Sequence, residues 1–212
     1  MFSLCIMVNM YFGFPRSGKT TNLVRTAYKV QKAINSGKSK FKHVLTNIEV
    51  NIPGVIYYPF EKLGDYNLEH CYILIDEASI YCDSRDYKTT SKKFLNWLML
   101  HGHGENVIDF YAQIYNAVDI KIRNITETVY FMYKPFFFGL WFTKCVQIPH
   151  SLHFPEDVGD IVMGYKRPPF FSRLFAKRIF RPLYYKYFDS HSNVLKLPPF
   201  EEYLSAHPES IR

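Results

Sequence analysis

The chain has 212 residues, 48% hydrophobic and 18% aromatic, with a formal net charge of +7. This length suits one α/β domain with a small appendage, and the apolar content excludes a largely disordered chain. The excess charge leans towards nucleic acid or an anionic membrane surface as a partner. Cys5, Cys71, Cys82 and Cys145 form no C-x-x-C pair, which argues against a zinc or disulfide framework and for buried, reduced thiols.

From the start, Met1 to Met10 is apolar without a basic leader, and it reads as a strand rather than a signal peptide. No run approaches the ~20 apolar residues needed to cross a bilayer; the nearest, Phe136 to Phe142, is far shorter. The apolar stretch Leu4 to Phe12 leads into Gly13-Phe14-Pro15-Arg16-Ser17-Gly18-Lys19-Thr20. That octet fits G-x-x-x-x-G-K-[ST], the phosphate-binding loop of ATP and GTP hydrolases. Glycines are needed because the backbone must curl around a phosphate with its N–H groups pointing inward. The helix that follows, Gly18 to Asn35 with a C-cap at Ser36-Gly37, adds the positive end of its dipole. Residues Gly13 to Thr21 are therefore the expected contacts for a nucleotide, ATP being the first choice. Lys19 reaches the β- and γ-phosphates in this reading, and the Thr20 hydroxyl binds Mg²⁺.

Lys38 to Lys42 reads as a basic connector, Val44 to Val50 and Gly54 to Tyr58 as strands, and Glu61 to Asn67 as a loop or short turn. Cys71 to Ile75 is a continuous apolar run ending in Asp76-Glu77, the pattern of a buried parallel strand with an acidic pair at its C-terminal edge. This is the Walker B arrangement. Asp76 is placed to hold the Mg²⁺ that Thr20 carries, and Glu77 to polarise an attacking water; a helix-capping role is the plainer alternative for the pair.

Asp83 to Ser91 is polar and reads as a loop. Phe94, Leu95, Leu98 and Met99 carry a helical stripe stopped by Gly102 and Gly104. Val107 to Ala112 is the next strand, ending in Gln113, whose amide is a candidate for the γ-phosphate or the nucleophilic water. Asn116 to Ile122 reads as a short helix. Thr128 to Tyr133 and Leu140 to Ile148 read as strands joined across Pro135 to Gly139, as in a hairpin. Arg85 and Arg123 are candidates for an arginine finger supplied to a neighbouring subunit. His101 and His103 lack further ligands and read as a helix end rather than a metal site.

The order of these pieces resembles the zonula occludens toxin-like family, which includes the filamentous-phage assembly ATPases. The likeness rests on Gly13 to Thr20, Ile75-Asp76-Glu77-Ala78, Arg85, His101-Gly102-His103-Gly104, Asp109 to Gln113, and Asp119 to Arg123. It departs from the family pattern at Gly102, where an arginine is common. The resemblance implies an ATPase at the inner membrane that drives extrusion of phage as single-stranded DNA is packaged. It also implies a homo-oligomeric ring that works with phage coat or assembly proteins from the host cytoplasm.

Beyond Pro149 the character changes. His150 to Asp160 is irregular, and Tyr165 to Phe188 mixes aromatics with Lys166, Arg167, Arg173, Lys177, Arg178, Arg181 and Lys186. Read as a helix, Phe170 to Phe180 separates Phe170, Phe171, Leu174 and Phe175 from its basic residues. Such a helix suits peripheral contact with an anionic membrane through Tyr165 to Phe188; packing on the protein's own sheet and DNA contact are the alternatives.

The expected fold is α/β: a P-loop NTPase with a mostly parallel central sheet flanked by helices, a β-hairpin and a basic C-terminal tail. The expected division is 1–149 for the ATPase domain and 150–212 for the extension. A phage-assembly motor is the leading reading. A DNA-packaging or conjugative translocase of the FtsK–HerA type, a small-molecule kinase, and a non-hydrolysing nucleotide-binding membrane scaffold stand beside it.

Overall fold

The computed structural model describes residues 7–82, 92–100, 104–135, 140–148 and 176–188. In chain order its regular elements are β1 (Met7–Phe12), α1 (Lys19–Asn35), β2 (His43–Thr46), β3 (Val55–Tyr57), β4 (Cys71–Ile75), α2 (Ala78–Tyr81), α3 (Lys92–Leu100), β5 (Val107–Ala112), α4 (Ile120–Ile125), β6 (Thr128–Tyr133), β7 (Phe142–Ile148) and β8 (Lys177–Phe180). Short 3₁₀ turns cover Phe60–Lys62, Tyr115–Ala117 and Arg181–Tyr187.

The strands form one eight-stranded sheet in the order β3-β2-β4-β5-β1-β6-β7-β8. Every neighbouring pair from β3 across to β6 is parallel. β7 runs antiparallel to β6, from Val129 opposite Ile148 to Tyr133 opposite Lys144, and β8 is antiparallel to β7.

The period of two in the strands sorts side chains onto two faces. In β4, Ile73 and Ile75 join a core with Phe94 and Leu98 of α3 and Ile122 of α4. Leu74 points the other way, to Leu23, Val24 and Ala27 of α1. β5 divides in the same manner, with Ile108 and Phe110 on the first face and Tyr111 on the second. Helices thus cover both faces, as apolar runs in a parallel sheet require.

Several boundaries differ from the sequence reading. The strand expected at Val44 to Val50 stops at Thr46, because the Asn47 side chain turns to the backbone of Asp76 and Ile48 N donates to Thr46 Oγ1 at 3.3 Å. The helix expected over Asn116 to Ile122 is split: a 3₁₀ turn precedes α4, and Asp119 caps α4 by accepting from Lys121 N at 2.7 Å. Met99 of the α3 stripe is exposed, whereas Phe94 and Leu98 are buried.

The largest correction lies in the basic segment. Lys177–Phe180 is a strand on β7, not the end of a helix, since the open edge of β7 offers a ladder of backbone partners that outweighs helical spacing. The first part of that expected helix, 170–175, lies outside the described residues, as do Arg85, His101 and His103. Among the described residues no helix is long and apolar enough to cross a membrane.

Candidate active site

The loop between β1 and α1 holds the conformation its glycines predict. Gly18 has φ +96°, and a Cβ there would lie 2.2 Å from Thr143 Oγ1. A Cβ on Gly13 would meet the backbone oxygen of Met132 at 2.2 Å. Arg16 also has a positive φ, 61°, which a non-glycine residue adopts only where its surroundings impose it. Ser17 N donates to Phe14 O at 3.1 Å, closing the turn. Lys19 Nζ folds back to donate to Gly13 O at 2.8 Å and Phe14 O at 3.2 Å. Its ammonium is thereby held over the loop while its stem is buried, and burial draws its pKa down against the opposing pull of Glu77 and Asp76.

The carboxylates arrive on the same edge of the sheet by register alone. β5 lies between β1 and β4, with Phe12 opposite Ala112 and Phe110 opposite Ile75. The residues following these parallel strands therefore emerge side by side. Thr20 Oγ1 donates to Asp76 Oδ2 at 2.8 Å. Asp76 is buried, and burial pushes its carboxyl up to about 6, although the Thr20 hydrogen bond favours the charged form. Glu77 follows in the left-handed region, φ 49° and ψ 45°, a strained conformation of the kind stored at functional sites. Gln113 Nε2 donates to both Glu77 oxygens, at 3.2 and 3.3 Å.

Two residues that sequence reasoning missed hold this arrangement. Asn47, just past β2, accepts from Asp76 N at 2.7 Å and donates to Asp76 O at 3.0 Å. The signal for it is slight: one amide residue after an apolar run. Thr143, fully buried in β7, donates to Ser17 O at 2.8 Å and so braces the phosphate loop from the far side. Nothing in the sequence near Thr143 announces this, because it depends on the antiparallel return of β7.

A cleft of about 860 Å³ opens over the loop. Pro15, Arg16, Gly18, Lys19, Thr20 and Thr21 form its floor, and Glu77 and Gln113 one side. Lys134, Leu140, Arg181, Tyr185 and Phe188 form the other side. Of the remaining loop residues, Gly13 and Phe14 contribute the carbonyls that Lys19 engages, and Ser17 is buried beneath. Arg123 stands apart from its own chain's cleft, donating to Asn116 Oδ1 at 3.1 Å with its guanidinium 5.5 Å from the centre of the Tyr115 ring.

The residues present fit a triphosphate with Mg²⁺. Thr20 and Asp76 place two hard oxygen donors together, the type Mg²⁺ prefers. The Ser17 hydroxyl is buried without a hydrogen-bond partner among the described residues. The Cβ-free surfaces at Gly13 and Gly18 leave the loop backbone undistorted. Among the described residues no group of three or more His, Cys, Asp or Glu side chains comes together to hold a metal by itself.

No protein-family profile matches the chain, and no curated protein matches it either. Among solved structures it is similar to the N-terminal domain of zonular occludens toxin from Neisseria meningitidis, with 16% identity and a TM-score of 0.52, covering 87% of this chain and 99% of that one. It is also similar to the genome packaging NTPase B204 from Sulfolobus turreted icosahedral virus 2 in complex with ATP-gammaS, with 14% identity, coverage of 66% and 80%, and a TM-score of 0.44. The flagellar accessory protein FlaH from Methanocaldococcus jannaschii is similar with 10% identity, coverage of 70% and 80%, and a TM-score of 0.48. At 16% identity the likeness to the toxin domain is one of fold. The fold is that of a P-loop NTPase, in line with the zonula occludens toxin-like resemblance carried by the motifs.

Proposed function

We propose that this chain is a Mg²⁺-dependent ATPase that drives filamentous-phage assembly and extrusion at the cytoplasmic face of the host inner membrane. The single observation behind the catalytic part is the convergence of Lys19, Thr20, Asp76, Glu77 and Gln113 on one edge of β1, β5 and β4. The phage-assembly part rests on the motif order described above, and the fold likeness is compatible with it.

Lys19 exchanges its bonds to Gly13 O and Phe14 O for phosphate oxygens in this reading. Thr20 and Asp76 would hold Mg²⁺, which would neutralise phosphate charge when bound. Glu77 positions the water that attacks the γ-phosphorus and receives its proton as the bond to the β-phosphate oxygen breaks. The hydrogen bonds from Gln113 occupy both Glu77 oxygens beforehand. When the Gln113 amide turns to the γ-phosphate, the Glu77 carboxylate is released to accept that proton.

Arg123 lies outside its own cleft, and it serves a neighbouring subunit of a homo-oligomeric ring in this proposal, with Arg85 as the second candidate. Single-stranded DNA and phage coat or assembly proteins are the proposed partners, and the part of the basic segment ahead of the cleft wall, Tyr165 to Arg178, provides peripheral contact with the anionic leaflet. The catalytic test is a pair of variants. Lys19→Ala should fail to bind ATP, and Glu77→Gln should bind it while losing roughly a hundredfold or more in kcat. Full turnover in Glu77→Gln would refute the assignment of the base. For the ring, ATPase activity per subunit should rise steeply with protein concentration and lose that rise in Arg123→Ala.

A further inference from the structure

We propose that the turn Arg181–Tyr187 and the adjoining Phe188 form the nucleoside-binding wall of the cleft, with the nucleobase lying on the Tyr185 ring. The inference rests on the nucleotide reading above and adds to it the subsite for base and ribose.

The strand order dictates the direction in which a nucleotide must lie. The Thr20–Asp76 contact and the Glu77–Gln113 pair stand on the β4–β5 side of β1. A triphosphate whose terminal phosphate meets those groups points its nucleoside away from them, over β6, β7 and β8. There the cleft continues, between Lys134 after β6, Leu140 before β7, and Arg181, Tyr185 and Phe188 after β8. Its volume of about 860 Å³ lies within the usual range for pockets that enclose a whole small ligand, rather than its phosphate chain alone.

The wall is held from behind and open in front. Tyr184 and Tyr187 pack on Tyr28 of α1, with ring centres 6.5 and 5.3 Å away. Asn51 N donates to Tyr187 O at 2.7 Å, and Arg181 N donates to Trp141 O at 2.8 Å. Tyr185, between these anchors, remains 44% exposed and lines the cleft. The Arg181 guanidinium lies 5.7 Å from the centre of its ring, and Phe188 meets it edge-on at 6.5 Å. A ring held in place on a fixed turn stacks a base with little further loss of conformational freedom. Arg181 and Lys134 add positive charge where the ribose joins the phosphates.

The test compares ligands with and without a nucleoside. Binding of Mg-ATP and of Mg-tripolyphosphate is measured by calorimetry on the full chain, as wild type, Tyr185→Ala and Tyr185→Phe. Wild type should bind ATP more tightly than tripolyphosphate. Tyr185→Ala should weaken ATP about tenfold, in keeping with the loss of one aromatic stack, and leave tripolyphosphate nearly unchanged. Tyr185→Phe should keep the wild-type affinity for ATP. Equal losses for both ligands, or none for ATP, would overturn the proposal. So would a wild type that binds the two ligands equally, a result that does not depend on the folding of any variant. A wild type that binds neither ligand would instead bring down the nucleotide reading, and this inference with it.

Discussion

The two flanks of the phosphate loop are built on different principles. On the β4–β5 side, carboxylates and amides are held by short polar contacts, Thr20 to Asp76 at 2.8 Å and Asn47 to the Asp76 backbone at 2.7 and 3.0 Å. On the β6–β8 side, cations and aromatic rings meet with wider spacing, such as Arg181 to Tyr185 at 5.7 Å. The first flank suits a small dication and a water, which need fixed oxygen donors at defined positions. The second suits a broad, flat group recognised by area. Four adjacent parallel strands, β2, β4, β5 and β1, can deliver the first, whereas the second needs the antiparallel return of β7 and the added edge strand β8.

A substitution in the loop itself should damage both flanks at once and have the largest effect. Gly13→Ala forces a Cβ against the Met132 backbone oxygen at 2.2 Å, and a backbone neighbour cannot swing aside. Displacement of the cradle by about 1 Å should cost roughly a hundredfold in kcat, and ATP and tripolyphosphate should both bind more weakly in calorimetry.

Asn47→Ala should separate the flanks. It removes the two bonds that fix the Asp76 backbone but touches nothing on the basic side. A fall in kcat of about tenfold to a hundredfold, as is usual for the outer partners of a metal ligand, should accompany a nearly unchanged affinity for ATP measured without Mg²⁺.

A third test sets Asp76 against a second buried carboxylate, Asp109. Asp109 is fully buried in β5, accepting from Asn9 Nδ2 at 2.7 Å and Tyr72 Oη at 3.0 Å, and burial pushes it up to about 6. Both groups thus bind a proton more tightly in the folded chain than in the unfolded one. Their stabilising contribution is complete below the unfolded value and is lost as pH rises through about 6. Thermal unfolding between about pH 5 and about pH 7.5 should therefore show stability falling with pH, by on the order of 1 kcal/mol per group. Mg-ATP should abolish the Asp76 share by keeping that carboxylate ionised, while Asp109→Asn should abolish the other share with or without nucleotide.

The smallest effect is expected on the exposed side of the second flank. Lys134→Ala should weaken ATP binding about threefold at low salt, and the difference should vanish at high salt, because an exposed charge is screened. A loss that persists in high salt would mean a direct hydrogen bond to the ligand instead.

The phosphate loop, the strand Cys71–Ile75 and the strand Val107–Ala112 were legible in the sequence because each is a local pattern. A glycine-framed turn and a continuous apolar run owe their conformation to neighbours a few residues away. Glu77 and Gln113 were legible for the same reason, since each follows such a strand directly. Helix α1 ends where Ser36-Gly37 indicates, with Gly37 at φ 68°.

What only the tertiary structure decided depends on partners far along the chain. Strand order put β5 between β1 and β4 and so brought Gln113 to Glu77. The Asn47 side chain ended β2 early for a bond to a residue in another strand. Thr143 reached the loop across 126 positions of sequence. The spacing of Phe170 to Phe180 favours a helix, yet Lys177–Phe180 is a strand. Local periodicity states which faces a segment has, but the unpaired backbone of β7 supplied hydrogen bonds that no isolated segment reveals.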